Sequence, residues 1–260
     1  MELITVGADP EAFIKEGNSI ISCIGLLGGT KRKPRKYGNI FVQEDNVLAE
    51  FNIPPCTNKK DFIKYNQEGM EAVASLTGKS ISIIASHKFT EEYIKSQPVS
   101  AHTFGCSPDN NAWTGKRNSA PKPTSGLRSA GGHIHVGAKI SKEECAHLVK
   151  CMDVVLGLPS ILMDSDTDRR SLYGGAGSYR RKPYGLEYRT LSNFWLRDAE
   201  TMGWAYDSVE YIFKNYDHVL DLVRSHGSTI QTAINNSDKG FATTFIHQHK
   251  EVFDHGYVIQ

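Results

Sequence analysis

The chain has 260 residues, 39% hydrophobic and 23% charged, with a formal net charge of +1. That composition fits an ordinary globular protein with a sizeable core, and the near-neutral balance gives no basic surplus for nucleic acid. No run approaches the roughly 18 consecutive apolar residues of a membrane span.

The first residues, MELITV, lack the basic start and long apolar stretch of a signal peptide. Residues 2–6 read as a short strand, Gly7-Ala8-Asp9-Pro10 punctuates it, and residues 11–14 resume an extended pattern. Residues 20–24 form another β-branched run. Gly28-Gly29 then leads into Lys31, Arg32, Lys33, Arg35 and Lys36, expected as a solvated loop able to steer an acidic substrate. Residues 40–51 read as a hairpin, with strands at 40–43 and 47–51 and a turn at 44–46. Residues 58–76 have helical spacing with Gly78 as C-cap, and 81–85 read as a strand.

Residues 98–132 are rich in Gly, Pro, Ser and Asn and predict a long loop, functional or disordered. Residues 131–137 alternate like a strand. Ser141-Lys142-Glu143-Glu144 is a capping box that starts a helix running to about residue 156. A second polar, glycine-rich stretch covers 164–185, followed by a strand at 186–191, the longest helix at 199–223 and a final helix at 241–253. The five cysteines, Cys23, Cys56, Cys106, Cys145 and Cys151, are odd in number and widely spaced, so free thiols in a reducing cytoplasm are expected. Strands and helices mix without strict alternation of βαβ units. This predicts an α+β fold with a largely antiparallel sheet, as one domain over residues 1–260.

Four clusters can carry chemistry. Asp9 and Glu11, two apart on an extended segment, point to one side of a sheet and can hold a hard cation; the competing reading is a turn with two solvated acids. Glu50 sits inside Leu48-Ala49-Glu50-Phe51-Asn52-Ile53-Pro54-Pro55, where a buried carboxylate needs a partner or a metal. Alternation puts Glu50 and Asn52 on one face and Ala49, Phe51 and Ile53 on the other; an edge strand with Glu50 in water is the alternative. His133 and His135, flanked by glycines, project to one side and can both reach a metal or a phosphate, unless they are a satisfied core pair. Glu187 and Arg189 share a strand face, one suited to a cation and the other to the anion that it neutralises. The stretch before them holds Arg169, Arg170, Arg180 and Arg181 and suits a mobile phosphate clamp, or else a solvated basic loop. His247 and His249, two apart on a helix, make a poor metal pair, and His255 adds little. Cys106 has no recognisable partner base.

In this order the segments resemble the carboxylate–amine ligase superfamily of glutamine synthetase and glutamate–cysteine ligase, and more closely the phage phiEco32-like COOH–NH2 ligases of type 2. The resemblance runs from residue 7 to about residue 195. It is most specific at Gly7-Ala8-Asp9-Pro10-Glu11, at 43–55, at 131–137 and at Tyr184-Gly185-Leu186-Glu187-Tyr188-Arg189. It implies the glutamine synthetase/guanido kinase-like catalytic fold, a curved antiparallel sheet flanked by helices. It further implies an ATP-dependent, ADP-forming ligase that joins a carboxylate substrate such as an amino acid to an amine through an acyl phosphate. Two or more Mg²⁺ or Mn²⁺ ions would be held by Glu11, Glu50, His133 and Glu187, with Asp9 standing where glutamine synthetase has a first-strand Glu. His135 resembles the histidine near the phosphates or the carboxylate substrate, Arg189 the arginine on the transferred phosphoryl group, and Arg180 or Arg181 a loop arginine that binds the nucleotide. A cytoplasmic enzyme, in the host cytoplasm if phage-encoded, is expected, with no nucleic-acid or membrane partner. No counterpart of the separate N-terminal domain of glutamine synthetase is found, so the site is expected to be complete within one chain. A metal-dependent hydrolase built on His133 and His135 and an inactive ATP- and metal-binding relative are the competing functions.

Overall fold

The structure, a computed structural model, describes residues 2–102, 109–119 and 126–254. In the first half the elements are β1 (Leu3–Ala8), β2 (Glu11–Glu16), β3 (Ser19–Ile21), β4 (Arg35–Tyr37), β5 (Ile40–Asp45), β6 (Leu48–Asn52), α1 (Lys59–Thr77), β7 (Ser80–Ser82), β8 (Ser86–Lys88), α2 (Glu91–Ser96) and β9 (Asn110–Asn111). Then follow β10 (Leu127–Ser129), β11 (Ile134–Ala138), α3 (Lys142–Met152), α4 (Leu158–Met163), α5 (Asp168–Leu172), β12 (Ser178–Lys182), β13 (Gly185–Tyr188), α6 (Ala199–Lys214), α7 (Tyr216–Asn236), α8 (Lys239–Gln248) and α9 (Lys250–Phe253). The fold is α+β, with curled antiparallel sheets flanked by helices, as the sequence predicts.

One sheet runs β1-β11-β13-β12-β9 and another β3-β2-β6-β5-β4, with β7 added to β2. The segment between β1 and β2 ties them together. Glu11 N–H donates to Gly131 O (2.8 Å) on one side, while Phe51 N–H donates to Pro10 O (3.2 Å) and Ile53 N–H to Ala8 O (3.1 Å) on the other. Pro10 has no N–H to donate, so it falls where the ladder changes partners. Residues 7, 9 and 11 keep one parity through the junction, and the Asp9 and Glu11 side chains therefore line one concave surface.

The convex side carries the core. Ala49, Phe51, Val136, Leu186 and Tyr188 are buried there with residues of α1, α3, α6 and α7. Helix α1 is capped as its sequence requires: the Asn58 side chain accepts from Asp61 N–H, and Gly78 closes it at φ 63°. Gly69 of α1 is packed so tightly that an added Cβ would lie 2.2 Å from the Phe51 ring.

Several boundaries differ from expectation for physical reasons. The strand expected at 20–24 stops at Ile21, because the Glu44 carboxylate accepts from Gly25, Leu27 and Gly28 N–H groups (3.0, 3.2 and 2.8 Å) and holds those residues as a loop. The hairpin turn sits at Asn46, which adopts φ 58°. The helix from Ser141 does not end near 156; it passes through a π turn, Asp153–Gly157, into α4. The helix expected at 199–223 is two helices, broken where the Asn215 side chain bonds back to Tyr211 O (3.0 Å). The stretch 164–185 is ordered into α5 and β12, because its arginines are internal ties. Arg169 is 2% exposed and donates to the carbonyls of Thr190 and Leu191 (2.8 and 2.7 Å). Arg170 donates to Ser160 Oγ (2.8 Å) and Ser237 Oγ (3.2 Å). Neither belongs to a phosphate clamp. Segment 142–163 is long and apolar enough to cross a membrane by length and composition, but 78% of its apolar window is buried inside the protein. Cys23, Cys56, Cys145 and Cys151 are buried free thiols, while Cys106 and His255 lie outside the described residues.

Candidate functional site

Strand register arranges the concave face in rows. Gly7, His135, Glu187 and Arg180 are aligned partners across β1, β11, β13 and β12, and Glu11, Glu50 and Gln43 are aligned across β2, β6 and β5. Asp9 stands between the two rows, its N–H donating to His133 O (3.4 Å).

Asp9, His133, His135 and Glu187 form one group. Asp9 Oδ1 lies 3.1 Å from His133 Nδ1 and 3.0 Å from His135 Nε2, and His133 Nδ1 lies 3.9 Å from Glu187 Oε1. Burial works against ionisation of Asp9, but His135 and His133 hold its carboxyl well below the usual range. Burial, with the Arg189 guanidinium nearby, drives His133 down to about 3, so its imidazole is neutral and available as a ligand. Tyr184 OH lies 2.8 Å from His135 Nδ1 and fixes that ring from its other side.

Glu11, Asp45 and Glu50 form the second group, with carboxylate oxygens all within 4.8 Å of one another. Gly131 N–H donates to Glu11 Oε2 (2.6 Å) and Gln43 Nε2 to Glu50 Oε2 (2.6 Å). Burial and the nearby Asp45 push Glu11 up to about 7, and burial with Asp9 and Glu11 pushes Glu50 well above its ordinary range. Buried like charges held this close favour either a proton or a cation between them. Asp9, His135 and Glu187 also offer ligand atoms within 4.8 Å of one another; this oxygen-rich donor set, with the imidazoles of His133 and His135 beside it, fits Mg²⁺ or Mn²⁺ better than a thiolate-seeking metal.

Cations converge on Glu187, which is fully buried. Lys182 Nζ lies 2.6 Å from Oε2, Arg180 Nη1 lies 3.5 Å from Oε1, and Arg189 Nη1 is in contact with Oε1. Arg189 is 2% exposed and also meets Asp109 Oδ2 through Nε (3.3 Å), with the Tyr173 ring centroid 5.1 Å from its guanidinium carbon. Arg181 is not brought to this cluster. Its register partner is Leu186, so it faces away from Glu187 and lines a separate cavity of about 910 Å³ with Lys139, Ile140 and Tyr184. A second cavity, about 480 Å³, opens over Asp9, Glu50 and His135, and Lys182 and Tyr184 border both.

Thus Asp9, Glu11, Glu50, Glu187, His133 and His135 all lie on this face, while His247 and His249 lie at the end of α8. The residues missed are Asp45, Lys182, Tyr184 and Asp109. Lys182 was findable, since the alternation that couples Glu187 to Arg189 also couples Arg180 to Lys182. Asp109 comes from the long loop and has no local signal.

The sequence profile of the phage phiEco32-like COOH·NH2 ligase type 2 family matches residues 119–255, more than half of the chain. The chain belongs to this family. That places it among carboxylate–amine ligases. The match spans His133, His135, Glu187 and Arg189 of this ligase. Asp9, Glu11 and Glu50 precede it, and they join the site by geometry. No curated protein matches the chain.

Proposed function

We propose that this ligase consumes ATP with divalent cations and forms its amide through an acyl phosphate. One observation carries the reading: a single concave face sets the acids Glu11, Glu50 and Glu187 against the cations Arg189, Arg180 and Lys182. Acids packed together call for divalent counter-charge, and cations beside them call for an anion; a metal-bound polyphosphate meets both demands.

In the first step a carboxylate oxygen of the substrate attacks the γ-phosphorus, and the bridging P–O bond breaks to release ADP. In the second, an amine attacks the acyl carbon, phosphate leaves and the amine gives up a proton. Arg189 and Arg180 stabilise charge on the transferred group. Asp109 and Glu187 hold Arg189 rigid, so little reorganisation accompanies that step. His135, fixed by Asp9 and Tyr184, orients the phosphates or the acid. Two or more Mg²⁺ or Mn²⁺ ions, held by Glu11 and Glu50 with Asp45 and by Asp9, His133 and Glu187, would supply neutralisation of phosphate oxygens.

The 910 Å³ cavity suits the nucleotide. It is lined by the next register row, Thr5, Gly137, Gly185 and Lys182. Tyr184 supplies an aromatic wall, and Arg181 and Lys139 supply positive charge. A screen of amino acids and amines for ADP release with Mg²⁺ tests the proposal, with Glu187→Ala run alongside. The expected result is release with one carboxylate–amine pair, reduced by about a hundredfold or more in the variant. Release from no pair, or equal release from both proteins, contradicts it.

A further inference from the structure

The nucleotide and the ions occupy only part of the concave face. The 480 Å³ cavity runs away from Asp9 and Glu50 along Asn52 and Phe41 to Lys31 and Pro34. Register continues the same line, since Asn52 pairs with Phe41 and Phe41 with Lys36. Two strand steps carry this row about 10 Å from β6 to β4, farther than a single amino acid reaches with its carboxylate at the metal ligands. Phe41 is 41% exposed, one of the few large apolar side chains left in water. Lys36 pairs with Phe41 and Lys31, which also meets Asp45 (3.5 Å), lines the same cavity; both are exposed, as are Arg32 and Lys33 between them in the chain, and β4 ends its sheet.

We propose that this lip, the basic strap 31–36 with Phe41 and Asn52, docks an acidic peptide whose carboxylate is the ligase's acid substrate. The inference rests on the ligase reading and names the substrate class for it. An extended chain bearing several carboxylates and an apolar side chain meets the strap's charges and Phe41 at once. It can also present one carboxylate to the metal ligands. A nucleic acid fits less well, because the chain's formal net charge of +1 leaves no basic surplus beyond this strap for a phosphate backbone.

The test is fluorescence anisotropy on the full chain, which needs no turnover. The probes are a labelled octapeptide of glutamates interrupted by phenylalanine, an all-glutamate octapeptide and a thymidine oligonucleotide of matching charge. The mixed peptide should bind most tightly. The charge-reversed variant Arg32→Glu/Lys33→Glu/Lys36→Glu should weaken it about tenfold or more. Phe41→Ser should weaken the mixed peptide while leaving the all-glutamate probe unchanged. The inference is overturned if wild type binds no peptide, if the oligonucleotide binds more tightly, or if the charge-reversed variant binds like wild type. Peptide binding lost while ADP release persists removes this inference alone; absence of ADP release with peptide binding intact removes the ligase mechanism instead.

Discussion

Glu11 and Glu50 stand directly opposite each other on adjacent antiparallel strands, 7% and 4% exposed. Two carboxyls in that arrangement cannot both ionise cheaply without a cation, and that cost makes the pair useful. It also gives the protein a pH signature.

Glu11 titrates near 7 in the folded chain and near its ordinary 4.5 when unfolded, and Glu50 is displaced in the same direction. At these two groups the folded state therefore binds more protons between those limits, and their contribution to stability falls as pH rises from about 5 to about 7.5. For Glu11 alone the loss is roughly 3 kcal/mol. His133, held near 3, opposes this up to its unfolded value of about 6.5, so thermal melts of metal-free protein should show the melting temperature dropping between about 6.5 and 7.5, and millimolar Mn²⁺ should flatten the slope. A melting temperature that rises over the same range contradicts the assignment.

Arg189→Met should be costly in stability. The guanidinium contacts two buried acids, Glu187 and Asp109, and its removal leaves both without it. Breaking a buried pair on one side costs about 3–5 kcal/mol, read as a shift of the urea midpoint. Arg189→Lys should recover only part, since an ammonium cannot span both acids.

Asp153 ties the strand to the helices behind it. Its carboxylate accepts from Trp113 Nε1 (2.6 Å), Tyr188 OH (2.7 Å) and Thr190 Oγ1 (3.3 Å). Tyr188 and Thr190 flank Arg189, so the network holds β13 and its continuation from the side opposite the site. Asp153→Ala leaves the buried Tyr188 hydroxyl and the half-buried Trp113 Nε1 without this acceptor, while Thr190 Oγ1 keeps Gly175 O (3.2 Å), and it should cost about 3 kcal/mol. Trp113 fluorescence should shift toward the red as the indole loses its partner.

Legibility in the sequence followed distance along the chain. A period of two is local, so His133 with His135 and Glu187 with Arg189 could be placed on shared faces from sequence alone. The same rule placed Ala49, Phe51 and Ile53 opposite Glu50, and they are in the core. What joins these pairs is not local: Asp9 meets His133 across 124 positions, and no periodicity encodes such a contact. Charge runs misled for a related reason. Arg169 and Arg180 look alike in sequence, yet one is buried against backbone carbonyls and the other faces Glu187. Local composition cannot tell them apart, because burial is decided by what packs above.

Tyr184→Ala probes the nucleotide cavity. Removing the aromatic wall should weaken ADP binding roughly tenfold, the scale of a lost base–aromatic contact, while Tyr184→Phe, which keeps the ring and drops only the hydroxyl on His135, should bind ADP within about threefold of wild type. Calorimetry of ADP binding to both variants checks it. Unchanged ADP affinity in Tyr184→Ala would place the nucleotide elsewhere.

Manganese binding followed by electron paramagnetic resonance tests the central claim most directly. Wild type is expected to bind two or more ions, Glu50→Gln to lose the site shared with Glu11 and Asp45, and Glu187→Gln to lose the one shared with Asp9 and His133. A wild-type protein that binds no manganese at millimolar concentration, or variants with undiminished stoichiometry, would contradict the account.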